Sequence, residues 1–176
     1  MGSDPFETGA HDLATEAAGI HEFNLVRYTS ILPPESEEVT LKEAKEKYFH
    51  HGAVLECIMS ETHGARGDRL TAGVGRMMVY KRGNGSGNEK GDRIGGFATE
   101  YEGHAAEELA QKELEGSLQD LFDRRYDGKD QEMSPFDVTI SSEVVSKSFA
   151  TAMAGICFVD YIFPELEKDD DRVAVM

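Results

Sequence analysis

Residues 18–35 read AGIHEFNLVRYTSILPPE, and the rest of the chain is read outward from this run. Phe23, Leu25 and Arg27 alternate with Asn24, Val26 and Tyr28, which predicts a strand over Phe23–Ser30 with the two sets on opposite faces. Pro33-Pro34 ends it, because neither proline can donate to a ladder and Leu32 is excluded from helical geometry. Upstream, Ala10, Leu13, Ala14, Ala17 and Ala18 recur at helical spacing, so a short helix over Gly9–Ile20 is expected, stopped near Gly19. Downstream come a brief charged helix at Leu41–Tyr48 and three strands, Ala53–Thr62, Leu70–Tyr80 and Arg93–Glu102. The polar segment RGNGSGNEKGD between the last two lacks the third glycine and the following helix of a dinucleotide fingerprint, and it reads as a hairpin loop. Ala105–Arg125 is the clearest helix, with Ala106, Leu109, Ala110, Leu114, Leu118, Leu121 and Phe122 on one stripe. Strands at Phe136–Val145 and Ala150–Phe163 follow, then an acidic, solvated tail. This order does not alternate strand and helix. It predicts an α+β fold with sheets packed face to face and helices outside.

The bulk numbers narrow the function. The chain has 176 residues, 18 Lys+Arg against 34 Asp+Glu, and a formal net charge of −16. One domain spanning 1–176 is expected at this length, large enough for a core without disulfides or metal. The charge argues against nucleic acid and against anionic membrane, since both need a basic surface, and it suits a cationic partner or simple solubility. The opening MGSDPFETGAHD has no basic flank or apolar run of a secretory signal, and Phe149–Phe163 is too short and punctuated to span a bilayer. Cys57 and Cys157, 100 positions apart, make neither a disulfide framework nor a zinc site, so a reducing, cytoplasmic setting is expected. His50-His51, His63 and His104 lack metal-ligand spacing, and no metal site is expected.

Two places carry possible chemistry. In RYTSILPP, a hydroxyl residue, Ser30, stands where the strand breaks. Either it is an ordinary strand-ending serine, or a turn presses the Thr29 carbonyl against its hydroxyl and allows an N-to-O acyl shift of the backbone. In TEYEG, Glu100 and Glu102 share one strand face while Tyr101 points away. Neighbouring carboxylates disfavour each other's ionisation, which suits a proton donor; two solvated acids on a strand edge have the same spacing.

The run at 18–35, SETHG at 60–64 and GGFATEYEG at 95–103 with its following helix resemble, in order and spacing, the pyruvoyl-dependent arginine decarboxylases. The resemblance extends from about Gly9 to Phe163. It implies that the Ser30 hydroxyl attacks the Thr29 carbonyl to give an ester. β-Elimination then cleaves the chain into a β chain, 1–29, and an α chain, 30–163, with the acidic tail 164–176. Loss of ammonia leaves residue 30 as a covalent pyruvoyl group, with no call for pyridoxal phosphate or metal. Its ketone would form a Schiff base with L-arginine and hold the electrons as carbon dioxide departs, so that agmatine is released after protonation.

The resemblance also assigns residues. Glu100 aligns with the family's proton donor, and Glu102 becomes a candidate modulator of its pKa. Asp12 aligns with an aspartate that contacts the substrate guanidinium, a role suited to a bidentate carboxylate. Asn24 matches an asparagine near the reactive turn and is taken as substrate-binding. A four-layer α/β/β/α sandwich is implied, assembled as a trimer or hexamer with sites near subunit interfaces. Relatives carry a further strand before the first helix, and only eleven residues precede Asp12 here, so that strand is expected to be missing. Its loss, with the single continuous chain, supports an alternative: an unprocessed, catalytically inactive family member acting as an oligomeric arginine- or polyamine-binding protein.

Overall fold

The computed structural model describes residues 1–83, 91–126 and 130–161. Its elements in chain order are β1 (Gly2–Asp4), α1 (Glu7–Ala18), β2 (Asn24–Arg27), β3 (Ile31–Leu32), α2 (Leu41–Tyr48) and β4 (Val54–Ala65). They continue with β5 (Arg69–Lys81), β6 (Arg93–Gly103), α3 (Glu107–Arg125), β7 (Gln131–Met133), β8 (Asp137–Val144) and β9 (Phe149–Phe158). The fold is mixed α+β, with two sheets and three helices among the described residues.

One sheet has the order β1-β9-β4-β2, with β2 parallel to β4 and the other pairs antiparallel. In the other, β3, β6 and β5 are neighbours, and the far edge of β5 pairs with β8 along Arg69–Arg76 and with β7 along Val79–Lys81. Strand periodicity then sorts the core. Leu70, Ala72 and Val74 of β5 turn toward the other sheet, meeting Ala150 and Ala152 of β9 and Ile58 of β4. Met77 and Val79 turn the opposite way, onto Leu118 and Phe122 of α3. A third cluster joins Ala14 of α1 to Leu55 of β4 and Met153 of β9. Gly73 and Gly75 continue the same α3-facing row of β5. A Cβ on Gly73 would come within 2.9 Å of Leu114 Cδ1, and one on Gly75 within 3.2 Å of Leu118 Cδ1, so their bare backbone lets α3 approach the sheet.

Helix α1 starts two residues earlier than its apolar spacing predicts and ends as expected at Gly19, whose φ of 74° suits a residue without Cβ. Helix α2 has the expected bounds, and its start carries a capping box in which Thr40 and Glu43 satisfy each other's backbone N–H. The missing first strand is corrected: β1 is present and pairs in antiparallel register with β9, Ser3 opposite Ala150. Three residues leave too short an alternation to be seen in sequence. Leu109, counted on the α3 stripe, is exposed, because the helix turns the row Ala110, Leu114, Leu118 and Phe122 inward and Leu109 falls to one side of it. The hairpin expected between β5 and β6 is met by their antiparallel pairing and by the Lys81 N–H bond to the Asp92 carbonyl, 2.9 Å. Its tip, 84–90, and the acidic tail lie outside the described residues. Among the described residues no helix is long and apolar enough to cross a membrane.

The two cysteines, remote in sequence, are direct cross-strand partners of β4 and β9. The Cys57 carbonyl accepts from Tyr28 N–H on the β2 side, and a strand residue sends both backbone groups the same way. The Cys57–Cys157 pair is therefore of the non-hydrogen-bonded kind, the closer of the two antiparallel geometries. Both thiols are free. Burial pushes both up, and Cys157, also beside Cys57, reaches about 11 from 9.0. Two units mean about a hundredfold less thiolate below pH 9. Native Cys157 is expected to alkylate with iodoacetamide at pH 8 roughly a hundred times more slowly than in urea, as read by peptide mass. Equal rates would show an open thiol.

Candidate active site

The strand expected over Phe23–Ser30 is cut at Arg27, because the chain there changes sheets. Strand β2 is an outer strand of one sheet and β3 an outer strand of the other. Tyr28 N–H still bonds to Cys57 of β4, at 2.8 Å, while the Ser30 carbonyl already accepts from Ala98 N–H of β6, at 3.0 Å. The Thr29–Ser30 peptide thus lies in the crossing itself. There Ile31 N–H donates to the Thr29 carbonyl at 3.0 Å, closing a three-residue γ-turn around Ser30. Among the described residues none other than glycine has positive φ, so the turn is of the inverse kind. The Thr29 carbonyl oxygen, where negative charge gathers if its carbon is attacked, therefore already has a fixed N–H donor.

Strand β6 brings Glu100 to this turn. The Ser30 hydroxyl lies 3.1 and 3.0 Å from the two carboxylate oxygens of Glu100, which accept its proton in hydrogen bonding. Tyr101 faces the other way, its hydroxyl accepting from Ala105 N–H at 3.4 Å. Glu102 shares the Glu100 face but is engaged elsewhere. Its Oε1 accepts from Arg27 Nη1 at 3.3 Å and from Glu61 N–H at 3.0 Å.

Arg27 is shared. Its Nη2 lies 3.0 Å from Oε2 of Glu61, whose side chain is only 10% exposed. The other oxygen of Glu61 lies 3.1 Å from His11 Nε2 of α1 and 3.4 Å from His63 Nε2 of β4, close but poorly aligned for hydrogen bonds. The two imidazoles stack with centroids 6.5 Å apart, and His63 Nδ1 meets the buried Thr151 hydroxyl at 3.0 Å. Four elements, α1, β2, β4 and β6, are thus tied together beside the crossing. On its other side the hydroxyls of Tyr161 and Tyr28 hold the Glu56 carboxyl below its usual range, and Glu56 in turn raises the Tyr28 hydroxyl.

Of the residues expected at the site, Thr29, Ser30 and Glu100 are brought together, with Glu102 one strand repeat further on. Asp12 is exposed on α1, next to His11. Its backbone carbonyl accepts from the Thr15 hydroxyl at 2.8 Å, and no hydrogen bond joins its side chain to Ser30 or Glu100. Asn24 sits at the far end of β2, roughly 10 Å before Arg27 at strand rise, and donates to the Gly52 carbonyl at 2.8 Å. Sequence reasoning missed Arg27, Glu61 and His11 as members of the site. Arg27 was legible only as a polar residue among apolar ones on its strand face, and Glu61 only within the SETHG run. Among the described residues no group of three His, Cys, Asp or Glu is arranged to hold a metal ion.

The Ser30 hydroxyl thus meets a strand carboxylate in a turn between two sheets. The family model for pyruvoyl-dependent arginine decarboxylase matches residues 1–163. The chain belongs to the pyruvoyl-dependent arginine decarboxylases. Similar relatives include the pyruvoyl-dependent arginine decarboxylases AaxB of Chlamydia trachomatis, 34% identical over 171 residues, and of Chlamydia muridarum, 33% identical over 174. Both alignments cover 92% of this chain and 84% of the relative. Pyruvoyl-dependent arginine decarboxylase 1 of Archaeoglobus fulgidus is 29% identical over 152 residues, covering 84% of this chain and 85% of its own. Membership makes this an enzyme family whose cofactor is a covalent pyruvoyl group. The turn fits that group: a hydroxyl residue follows a carbonyl with a fixed donor, in backbone that neither ladder occupies.

Proposed function

We propose that the chain cleaves itself between Thr29 and Ser30, into 1–29 and 30–163 with its tail, and then decarboxylates L-arginine to agmatine. The observation that carries this reading is the Ser30 hydroxyl on the Glu100 carboxylate, within a turn whose preceding carbonyl accepts from Ile31 N–H. In the uncleaved chain Glu100 orients the Ser30 hydroxyl, and Ile31 N–H stabilises charge on the Thr29 oxygen as its carbon is attacked. The pyruvoyl group, when formed, supplies a ketone that condenses with the substrate amine and accepts the electrons left by carbon dioxide. Glu100 then stands beside residue 30 to return a proton to the substrate carbon. Glu102, on the same strand face as Glu100, modulates it while paired with Arg27, which Glu61 shares.

Asp12 takes the guanidinium, the planar end of the substrate, for which a free carboxylate is the matching partner. Asn24, distant from Ser30 in its own chain, reaches a reactive turn across a subunit interface. Support for an oligomer of trimeric or hexameric kind comes from the two outer strands beside Ser30, where Val26, Tyr28 and Ile31 are all exposed. The sheets facing each other, with α1 outside one and α3 outside the other, support a four-layer α/β/β/α sandwich in one domain. The presence of β1 takes away one support of the alternative, an unprocessed binding protein: the missing first strand.

The test is intact mass of freshly purified protein under denaturing conditions, with carbon dioxide release from arginine measured alongside. Two chains divided at Thr29–Ser30, the larger without a free amino terminus, are expected. A lasting full-length mass with no release would overturn the reading. Asp12→Ala is expected to raise KM for arginine by roughly ten- to a hundredfold, the value of one charged hydrogen-bonded contact. An unchanged KM would remove Asp12 from the guanidinium.

A further inference from the structure

The nearly buried carboxylate of Glu61 has no part in the chemistry above, yet through it and its own N–H Glu61 touches groups on three other elements that the reaction needs. One oxygen holds Arg27 Nη2 at 3.0 Å, at the last residue of β2 before the crossing. The other lies 3.1 Å from His11 Nε2, the residue preceding Asp12. Its own backbone N–H holds Glu102 Oε1 at 3.0 Å, the oxygen that also takes Arg27 Nη1. A carboxylate in so dry a place persists only with compensating cations, and here Arg27 supplies a permanent one. Removing the charge would leave Arg27 half-paired and facing two imidazoles, so both it and His11 would lose their fixed positions.

We infer that Glu61 is a positioning residue with two separable arms. The Arg27 arm sets the end of β2 and thereby the Thr29–Ser30 turn; the His11 arm sets the turn of α1 that carries Asp12. The inference rests on the proposed reading of Ser30 and Asp12. It differs from a general structural role because the arms predict different losses. Through Arg27, self-cleavage depends on Glu61. Through His11, arginine affinity depends on it. Glu61 touches neither the scissile bond nor residue 30, so turnover of enzyme already cleaved depends on it little.

The experiment follows cleavage with time, by denaturing mass, and kcat and KM per cleaved enzyme for Glu61→Gln, Glu61→Asp, Arg27→Ala and His11→Ala. Glu61→Gln is expected to slow cleavage about tenfold and raise KM about tenfold, with kcat within about twofold. Arg27→Ala should reproduce the cleavage loss alone, and His11→Ala the KM loss alone. Glu61→Asp, which keeps the charge, should recover part of both. Normal cleavage and KM in Glu61→Gln, or loss of kcat alone in every variant, would overturn the inference while leaving the decarboxylase reading intact. Wild-type protein that never cleaves would instead sink that reading. Calorimetric arginine binding to the full chain then still tests the His11 arm: weakening by Glu61→Gln supports it, and unchanged affinity overturns it.

Discussion

Ser30→Ala is expected to remain one 19.4 kDa polypeptide however long it is incubated, with arginine decarboxylation at the uncatalysed background. In the proposed reaction every later step depends on the Ser30 hydroxyl. It bonds both Glu100 oxygens, at 3.0–3.1 Å, and it supplies the atom whose departure would open the chain. Alanine removes that oxygen without disturbing the ladders, because the contacts of residue 30 with β6 run through its carbonyl to Ala98 N–H. The folded structure should therefore survive, with an unchanged circular dichroism spectrum and melting temperature. The loss of rate is of the whole catalytic enhancement, on the order of 10⁶-fold or more. Cleavage of Ser30→Ala at the same bond would assign the chemistry to another residue. Ser30→Thr keeps a hydroxyl and should cleave slowly, but a methyl ketone cannot form from it.

Glu100→Gln separates making the cofactor from using it. Glutamine keeps an oxygen that can accept the Ser30 hydroxyl, so the turn stays oriented and the chain should still divide at Thr29–Ser30. What it cannot do is deliver a proton to carbon. Positioned general acids contribute about 10²- to 10⁴-fold, and kcat is expected to fall by that amount with KM for arginine little changed. Mass spectrometry of borohydride-treated protein with arginine present should still find substrate linked to residue 30. Wild-type kcat in a fully cleaved Glu100→Gln enzyme would exclude Glu100 as the proton donor. Failure to cleave would make Glu100 a base of the self-processing step instead, a result that the kinetic arm alone would not reveal.

Much of this protein is legible along the chain because the signals are local. Gly19 stops a helix where only a residue free of Cβ relaxes; the alternation of Glu100, Tyr101 and Glu102 assigns faces within a strand; and Thr29-Ser30 before a diproline marks where a ladder cannot continue. The ordered runs around Ser30, Glu61 and Glu100 led to the family without any geometry. What sequence could not contain is distance between remote positions. Strand β1 is too short to show a period, and exists because β9 offers it an edge. The strand expected through Ser30 ends at Arg27 because residues 28–30 cross between sheets, a consequence of where β4 and β6 lie. Cys57 and Cys157 become partners only through the β4–β9 register. Glu102, paired with Glu100 by spacing, meets Arg27 instead, and Glu61 joins helix α1 to the end of β2 across 50 and 34 residues of chain. Local conformational preference decides elements and faces. Which charges meet is decided by long-range packing, since Coulomb attraction and desolvation act through space and take no account of sequence separation.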